Sequence, residues 1–142
     1  MIRTRRCQWA VPAWGLSLLL AALAACGEQK PNYPVRTPPP GLLADSAQVA
    51  AGKVLFREKC ATCHGKPDEG RSPRADFFQP PAPDFRESRY RQSDPAYLYW
   101  RIETGKTVEP YASQGSVMPP WEATLSEVEI WQLVVYLKAR AG

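Results

Sequence analysis

Cys60, Cys63 and His64 stand in the order Cys-Ala-Thr-Cys-His, and each can do a separate piece of chemistry. Two thiols three positions apart, on one turn of backbone, can each add to one of the two vinyl groups on a haem edge, giving two thioether links. The histidine directly after the second thiol then falls under the iron, where its imidazole can serve as proximal ligand. A ring held covalently leaves the rest of the chain to wrap it and to supply a sixth ligand. His64 is the only histidine among the 142 residues, and Met118 is the only methionine apart from Met1. If the iron takes a second strong side-chain ligand, Met118 is the candidate.

Other uses of two cysteines and a histidine fit less well. A thioredoxin-like Cys-x-x-Cys needs a βαβ setting, which the sequence does not show. A zinc site needs four ligands, and only the remote Cys26 could join Cys60, Cys63 and His64. No second Cys-x-x-Cys-His occurs, so the motif implies one haem.

The chain opens with a leader. Arg3, Arg5 and Arg6 precede a short apolar stretch, Ala10 to Leu23, broken by Pro12 and Gly15 and followed by Leu-Ala-Ala-Cys26. That order reads as a secretory signal, and its end looks like a bacterial lipobox in which Cys26 becomes the lipidated first residue. An uncleaved transmembrane helix needs about 20 apolar residues, more than this stretch offers. We therefore expect a cleaved signal over residues 1–25, a Pro-rich tether over 26–44 and a folded domain over 45–142. The expected location is the periplasmic side of a bacterial membrane, held by lipid. Gly27 after the lipidated cysteine resembles lipoproteins sent to the outer membrane. A soluble periplasmic or N-terminally membrane-anchored form is the runner-up.

The formal charge of +4 includes the leader; losing its three arginines leaves 15 basic against 14 acidic side chains, or +1. Two haem propionates would bring the holoprotein near −1, so binding to nucleic acid loses its electrostatic support.

The elements that must position these groups are helical. Asp45 or Ser46 can cap a helix to about Lys59, with Val49, Gly52, Phe56 and Cys60 on one face. Gly52 costs about 1 kcal/mol in a helix interior and suggests close approach of a second helix. Gly65 to Phe85 is loop by composition, with Phe77, Phe78 or Phe85 available to pack on a porphyrin edge. Ser93-Asp94-Pro95 starts a helix that stops at Gly105, with Leu98 and Ile102 on one face. A polar loop then carries Met118-Pro119-Pro120-Trp121. Ser126-Glu127-Val128-Glu129 fits a capping box ahead of a final helix with Ile130, Leu133, Val134 and Leu137 on one stripe.

Taken together, the Cys60–His64 motif, Met118-Pro119-Pro120-Trp121 and the closing helix Leu125 to Leu137 resemble a class I (Met/His) monohaem cytochrome c, over roughly residues 45–140. The resemblance implies an all-α cytochrome c fold, three or more short helices wrapped around one covalent haem c. It also implies that the first and last helices cross where a small residue meets an aromatic one, Gly52 against Tyr136 or Trp131. The His64 ring would donate to a proline carbonyl, Pro81 or Pro83, and Trp121 would pack on the haem edge, bond a propionate or be simply buried. Arg86, Arg89 and Arg91, or Arg71 and Arg74, either pair with a propionate, face an acidic partner or form a solvated surface.

The expected function is one-electron transfer between a redox protein donor and acceptor outside the cytoplasm, with no small-molecule substrate and no enzyme chemistry. Two alternatives stand beside it: the electron-entry subunit of a larger respiratory or dehydrogenase complex, and a small-ligand sensor or peroxidase-like protein if Met118 is labile.

Overall fold

The last helix, α5 (Glu127–Arg140), buries seven side chains from Ile130 to Leu137 and is the post against which the others lean. In the computed structural model, residues 31–109 and 111–142 are described, and their regular structure is all helical. The leader and Cys26 lie outside the described residues. α1 (Ser46–Leu55) crosses α5, while α3 (Arg89–Gln92) and α4 (Pro95–Thr104) pack on its other sides. Enclosed in this way, α5 exposes far less than an ordinary one-faced surface helix.

Local signals set the ends of these helices. The Asp45 carboxylate accepts from the Ala47 N–H at the start of α1. Asp94 does the same for Ala96, with Pro95 in the first turn of α4. Ser126 and Glu129 close a reciprocal capping box on α5. The first helix departs from expectation: it does not stop near Lys59. A π turn, Phe56–Cys60, leads straight into α2 (Ala61–His64), so the attachment motif is the end of one helical run from Ser46. Gly65, at φ 81°, ends it, and its N–H bonds the Ala61 carbonyl. Single π turns inside α-helices occur most often at functional sites.

The α1–α5 crossing uses Tyr136, not Trp131. A Cβ on Gly52 would lie 2.8 Å from Tyr136 Cβ. Trp131 instead packs on Tyr99 of α4, ring centroids 4.5 Å apart.

The compact unit begins at Tyr33 rather than at residue 45. Tyr33 stacks on Trp100 at 5.7 Å and its hydroxyl donates to Asp94 at 2.7 Å. Arg36 bonds Glu103 at 2.5 Å and lies over the Tyr99 ring, and Leu42 is buried. Of the stretch expected to be a tether, residues 33–44 are therefore a strap across α4. The physical reason is that the strap's aromatic and charged residues find partners 61 and 67 positions away, invisible to local composition.

Candidate haem site

One cleft, open to solvent at its mouth, is lined by Cys60, Cys63, His64 and Met118 together. The π turn, α2, α4 and the Met118 loop all contribute to its lining.

His64 is buried at the end of α2, its ring 4.8 Å from Phe85. Its Nδ1 lies 3.5 Å from the Pro83 carbonyl oxygen. Of the two prolines considered, Pro83 is thus the one facing the ring, while Pro81 lines the cleft. Burial holds the imidazole pKa down to about 4; the Pro83 carbonyl opposes this, and the Lys106 and Arg140 charges reinforce it. The ring is neutral at pH 7, and with its proton on Nδ1 the Nε2 lone pair is available to a metal.

Cys60 and Cys63 are free thiols. Burial, then the neighbouring Cys63, pushes the Cys60 thiol up to about 12. A disulfide-exchanging cysteine needs the opposite shift. Among the described residues no group of three or more His, Cys, Asp or Glu side chains gathers as a metal cluster. The raised thiol pKa weakens the thioredoxin-like reading; the zinc reading involves Cys26, which lies outside the described residues.

Met118 is positioned by the end of α4. The Lys106 N–H donates to the Met118 carbonyl at 3.0 Å, closing the intervening loop. Trp121 N–H donates to the Glu103 carbonyl at 3.0 Å, and Glu122 N–H to the same oxygen at 3.2 Å. These bonds satisfy carbonyls that a helix C-terminus otherwise leaves orphaned. Gly105, at φ 64°, permits the contact, since a Cβ there would sit 2.5 Å from Pro119 backbone atoms.

Trp121 and Phe85 also line the cleft, as does Phe78; Phe77, offered as a third packing residue, is 84% exposed. Arg86 does not reach the cleft. It pairs with Asp84 at 3.1 Å and packs against Gly70. Arg71 pairs with Asp76 and donates to the Ala82 carbonyl, and Arg89 pairs with Glu87. None of the arginines singled out from the sequence lines the cleft. The one that does is Arg101, on α4, 7% exposed. Its Nε and Nη1 are buried without a hydrogen-bond partner. The signal was present: Arg101 follows Tyr97 and Leu98 at helical spacings of four and three, on the face that Ile102 extends.

These features fit a covalently held haem: two thiols, a neutral imidazole and a thioether around one largely apolar cleft, with an unpaired buried guanidinium at its wall. Among the described residues no helix is long and apolar enough to cross a membrane.

Residues 47–137 match the family described as cytochrome c oxidase, cbb3-type, subunit III. The chain is 30% identical over 103 residues to the cbb3-type cytochrome c oxidase subunit CcoP of Azospirillum sp. (strain B510), covering 72% of this chain and 32% of that protein. It is 33% identical over 100 residues to the subunit CcoP of Cereibacter sphaeroides, covering 69% of this chain and 29% of that one. The chain thus spans about a third of the length of these relatives. A chain of the Kuenenia stuttgartiensis reducing HAO-like protein complex Kustc0457/Kustc0458 superposes with a TM-score of 0.57 at 26% identity, over 82% of this chain and 53% of that one.

Proposed function

The chain belongs to the family of cytochrome c oxidase, cbb3-type, subunit III, its helical unit is a c-type cytochrome domain, and on that premise we propose that it is an extracytoplasmic one-electron carrier with a single haem c. The observation that carries this reading is the meeting of Cys60, Cys63, His64 and Met118 in one cleft.

Cys60 and Cys63 would hold the haem edge through thioethers, and His64 and Met118 would be the ligands to its iron. Haem c, when bound there, supplies a ferric–ferrous couple whose potential a thioether ligand opposite imidazole raises. The chain's own part is positional. Pro83 faces the His64 Nδ1 and leaves Nε2 for the metal. The Lys106–Met118 clamp and the Trp121 bonds to the end of α4 fix the thioether's backbone. Phe78, Phe85 and Trp121 keep the lining apolar. With its only imidazole committed to the metal, the chain has no histidine left for proton transfer.

Visible spectra of the matured protein, oxidised and reduced, with and without carbon monoxide, test this. A c-type reduced spectrum, a weak far-red iron–sulfur band when oxidised and no response to carbon monoxide are expected. A clear carbon monoxide shift would overturn the Met118 assignment and favour a small-ligand sensor or peroxidase-like protein.

A second reading is favoured by the comparisons: relatives such as the CcoP chains are oxidase subunits, more than twice as long. In it, the domain is an electron-entry subunit of a larger respiratory complex. Co-purification of a stoichiometric partner in mild detergent would select this reading over a free carrier. Under either, Cys26 is the proposed lipid attachment point on the periplasmic side of a bacterial membrane, with a redox protein as donor and another as acceptor.

A further inference from the structure

Arg140, in the last turn of α5, bonds the loop that begins directly after His64. Its Nη2 donates to the Glu69 carbonyl at 2.6 Å and to the Lys66 carbonyl at 2.9 Å. Gly65, at φ 81°, turns that loop, and a Cβ on it would stand 1.9 Å from the Gly70 carbonyl oxygen. Residues 65–70 therefore close on themselves, and Arg140 holds carbonyls near both ends of the closure. The guanidinium carbon also lies 4.7 Å from the centroid of the Phe56 ring. Phe56 is 1% exposed, and its ring packs on Tyr136 of α5 at 5.3 Å and neighbours the His64 ring at 6.5 Å. The side chains of Lys66 and Glu69 pair with each other, so what Arg140 meets there is carbonyl oxygen. Asp84, an acid whose carboxyl feels the Arg140 charge, is itself bonded by Arg86. Nε and Nη1 of Arg140 are buried without a hydrogen-bond partner. A guanidinium offers five donors, and leaving some buried and unpaired is costly. The face of Phe56 offsets part of that cost.

We propose that Arg140 is a positioning residue for the histidine ligand: it pins the return loop after His64 to α5 and fixes a positive charge behind the imidazole. The proposal rests on the haem reading and adds to it a residue that does not line the cleft. Arg140 acts through two neighbours. The carbonyls of Lys66 and Glu69 carry its grip to the backbone of His64, so the ring keeps one orientation. Phe56 lies between the guanidinium and the imidazole as an apolar spacer that excludes water, and charges so enclosed are screened little by salt. Reduction of the metal centre adds one electron to it, which a nearby fixed cation favours. Arg140 therefore raises the midpoint potential and stiffens the loop together.

The test is redox titration and amide hydrogen exchange on the matured full chain, wild type against Arg140→Met and Arg140→Lys. Arg140→Met should keep the c-type spectrum and lower the midpoint potential. The N–H groups of Gly65 and Glu69, bonded to Ala61 and Lys66 within this segment, should exchange about tenfold faster. Arg140→Lys restores the charge without the planar fork, and its potential should lie between the other two. A wild-type potential in Arg140→Met overturns the proposal, even if the melting temperature falls or the loop exchanges faster, because a merely structural tie does both. A lower potential with unchanged exchange overturns it as well, since the charge would then act without the clamp. If Arg140→Met does not mature, Arg140→Gln takes its place: it keeps a donor for the carbonyls but no charge, and an unchanged potential there overturns the proposal equally. Absence of a c-type spectrum in the wild type would instead sink the haem reading itself, a distinguishable failure.

Discussion

Gly52 of α1 and Tyr136 of α5 meet backbone to side chain: a Cβ on Gly52 would stand 2.8 Å from Tyr136 Cβ and 2.6 Å from the Gln132 carbonyl carbon. Real Cβ atoms do not approach so closely, and a backbone carbonyl cannot rotate away as a flexible side chain can. Gly52→Ala should therefore destabilise the protein by about 1–3 kcal/mol, the range for overpacking, although alanine is the better helix former. Gly52→Val should cost more. Denaturant midpoints at constant m-value measure this; an unchanged midpoint would mean that the helices do not cross here.

Met118→Ala removes the thioether while leaving the Lys106–Met118 and Trp121 backbone bonds in place. The reduced protein should then bind carbon monoxide, its potential should fall, and the far-red band should vanish. The melting temperature should change little. Wild-type potential and ligand reactivity in the variant would remove Met118 from the metal.

Glu103 is 9% exposed, and burial raises its carboxyl pKa while Arg36 opposes the rise. An acid whose folded pKa lies above its unfolded one contributes most at low pH, and that contribution is lost as pH rises through the folded value. Arg36→Gln removes the opposing attraction and lifts the pKa further. With Arg36 partly exposed, the expected loss at pH 7 is about 1–2 kcal/mol, below the figure for breaking a fully buried pair. At pH 4, with Glu103 protonated, the difference from wild type should shrink. A loss independent of pH would contradict the pairing.

Ser126→Ala should cost about 1 kcal/mol at neutral pH, the usual value of an N-cap. The Ser126 backbone N–H and then its hydroxyl hold the Glu129 carboxyl below its ordinary range. This contribution is present above the unfolded pKa and disappears as pH falls through the folded one. The two acids thus tilt the stability curve in opposite directions. Thermal melts of the variant across pH 3–7 should approach wild type at the acid end yet stay below it, because the Ser126 hydroxyl accepts from the Glu129 N–H at any pH.

Cys26→Ser should release the mature chain from the membrane fraction and abolish incorporation of labelled fatty acid in cells. Retention on membranes with no label incorporated would point to another anchor.

Much of this architecture is written locally. Asp94-Pro95 and Gly105 bracket α4, and Ser126 with Glu129 starts α5, because capping and positive φ are decided by a few adjacent residues. The thiols, His64 and Met118 stand out by rarity and spacing. What escaped depended on distant partners. Arg36 gives no sign that Glu103 is 67 positions ahead, and proline-rich composition around it reads as an extended linker. Arg101 shares a helix face with Tyr97 and Leu98, but that it lines the cleft shows only once α4 is placed. Arg86, conspicuous in a basic run, turns out to be occupied by Asp84 two residues away.

The order in which the chain emerges gives the strap and the closing helix a temporal consequence. Synthesis delivers Tyr33 and Arg36 first, then Cys60, Cys63 and His64, and only afterwards Asp94 and Glu103, on which the strap docks. α5, the post of the core, comes later still. Until those 14 residues arrive, α1 has nothing to cross and the thiols cannot be enclosed. The attachment motif is thus open to chemistry for the whole interval between its own appearance and that of α5, which acts as the step that closes it.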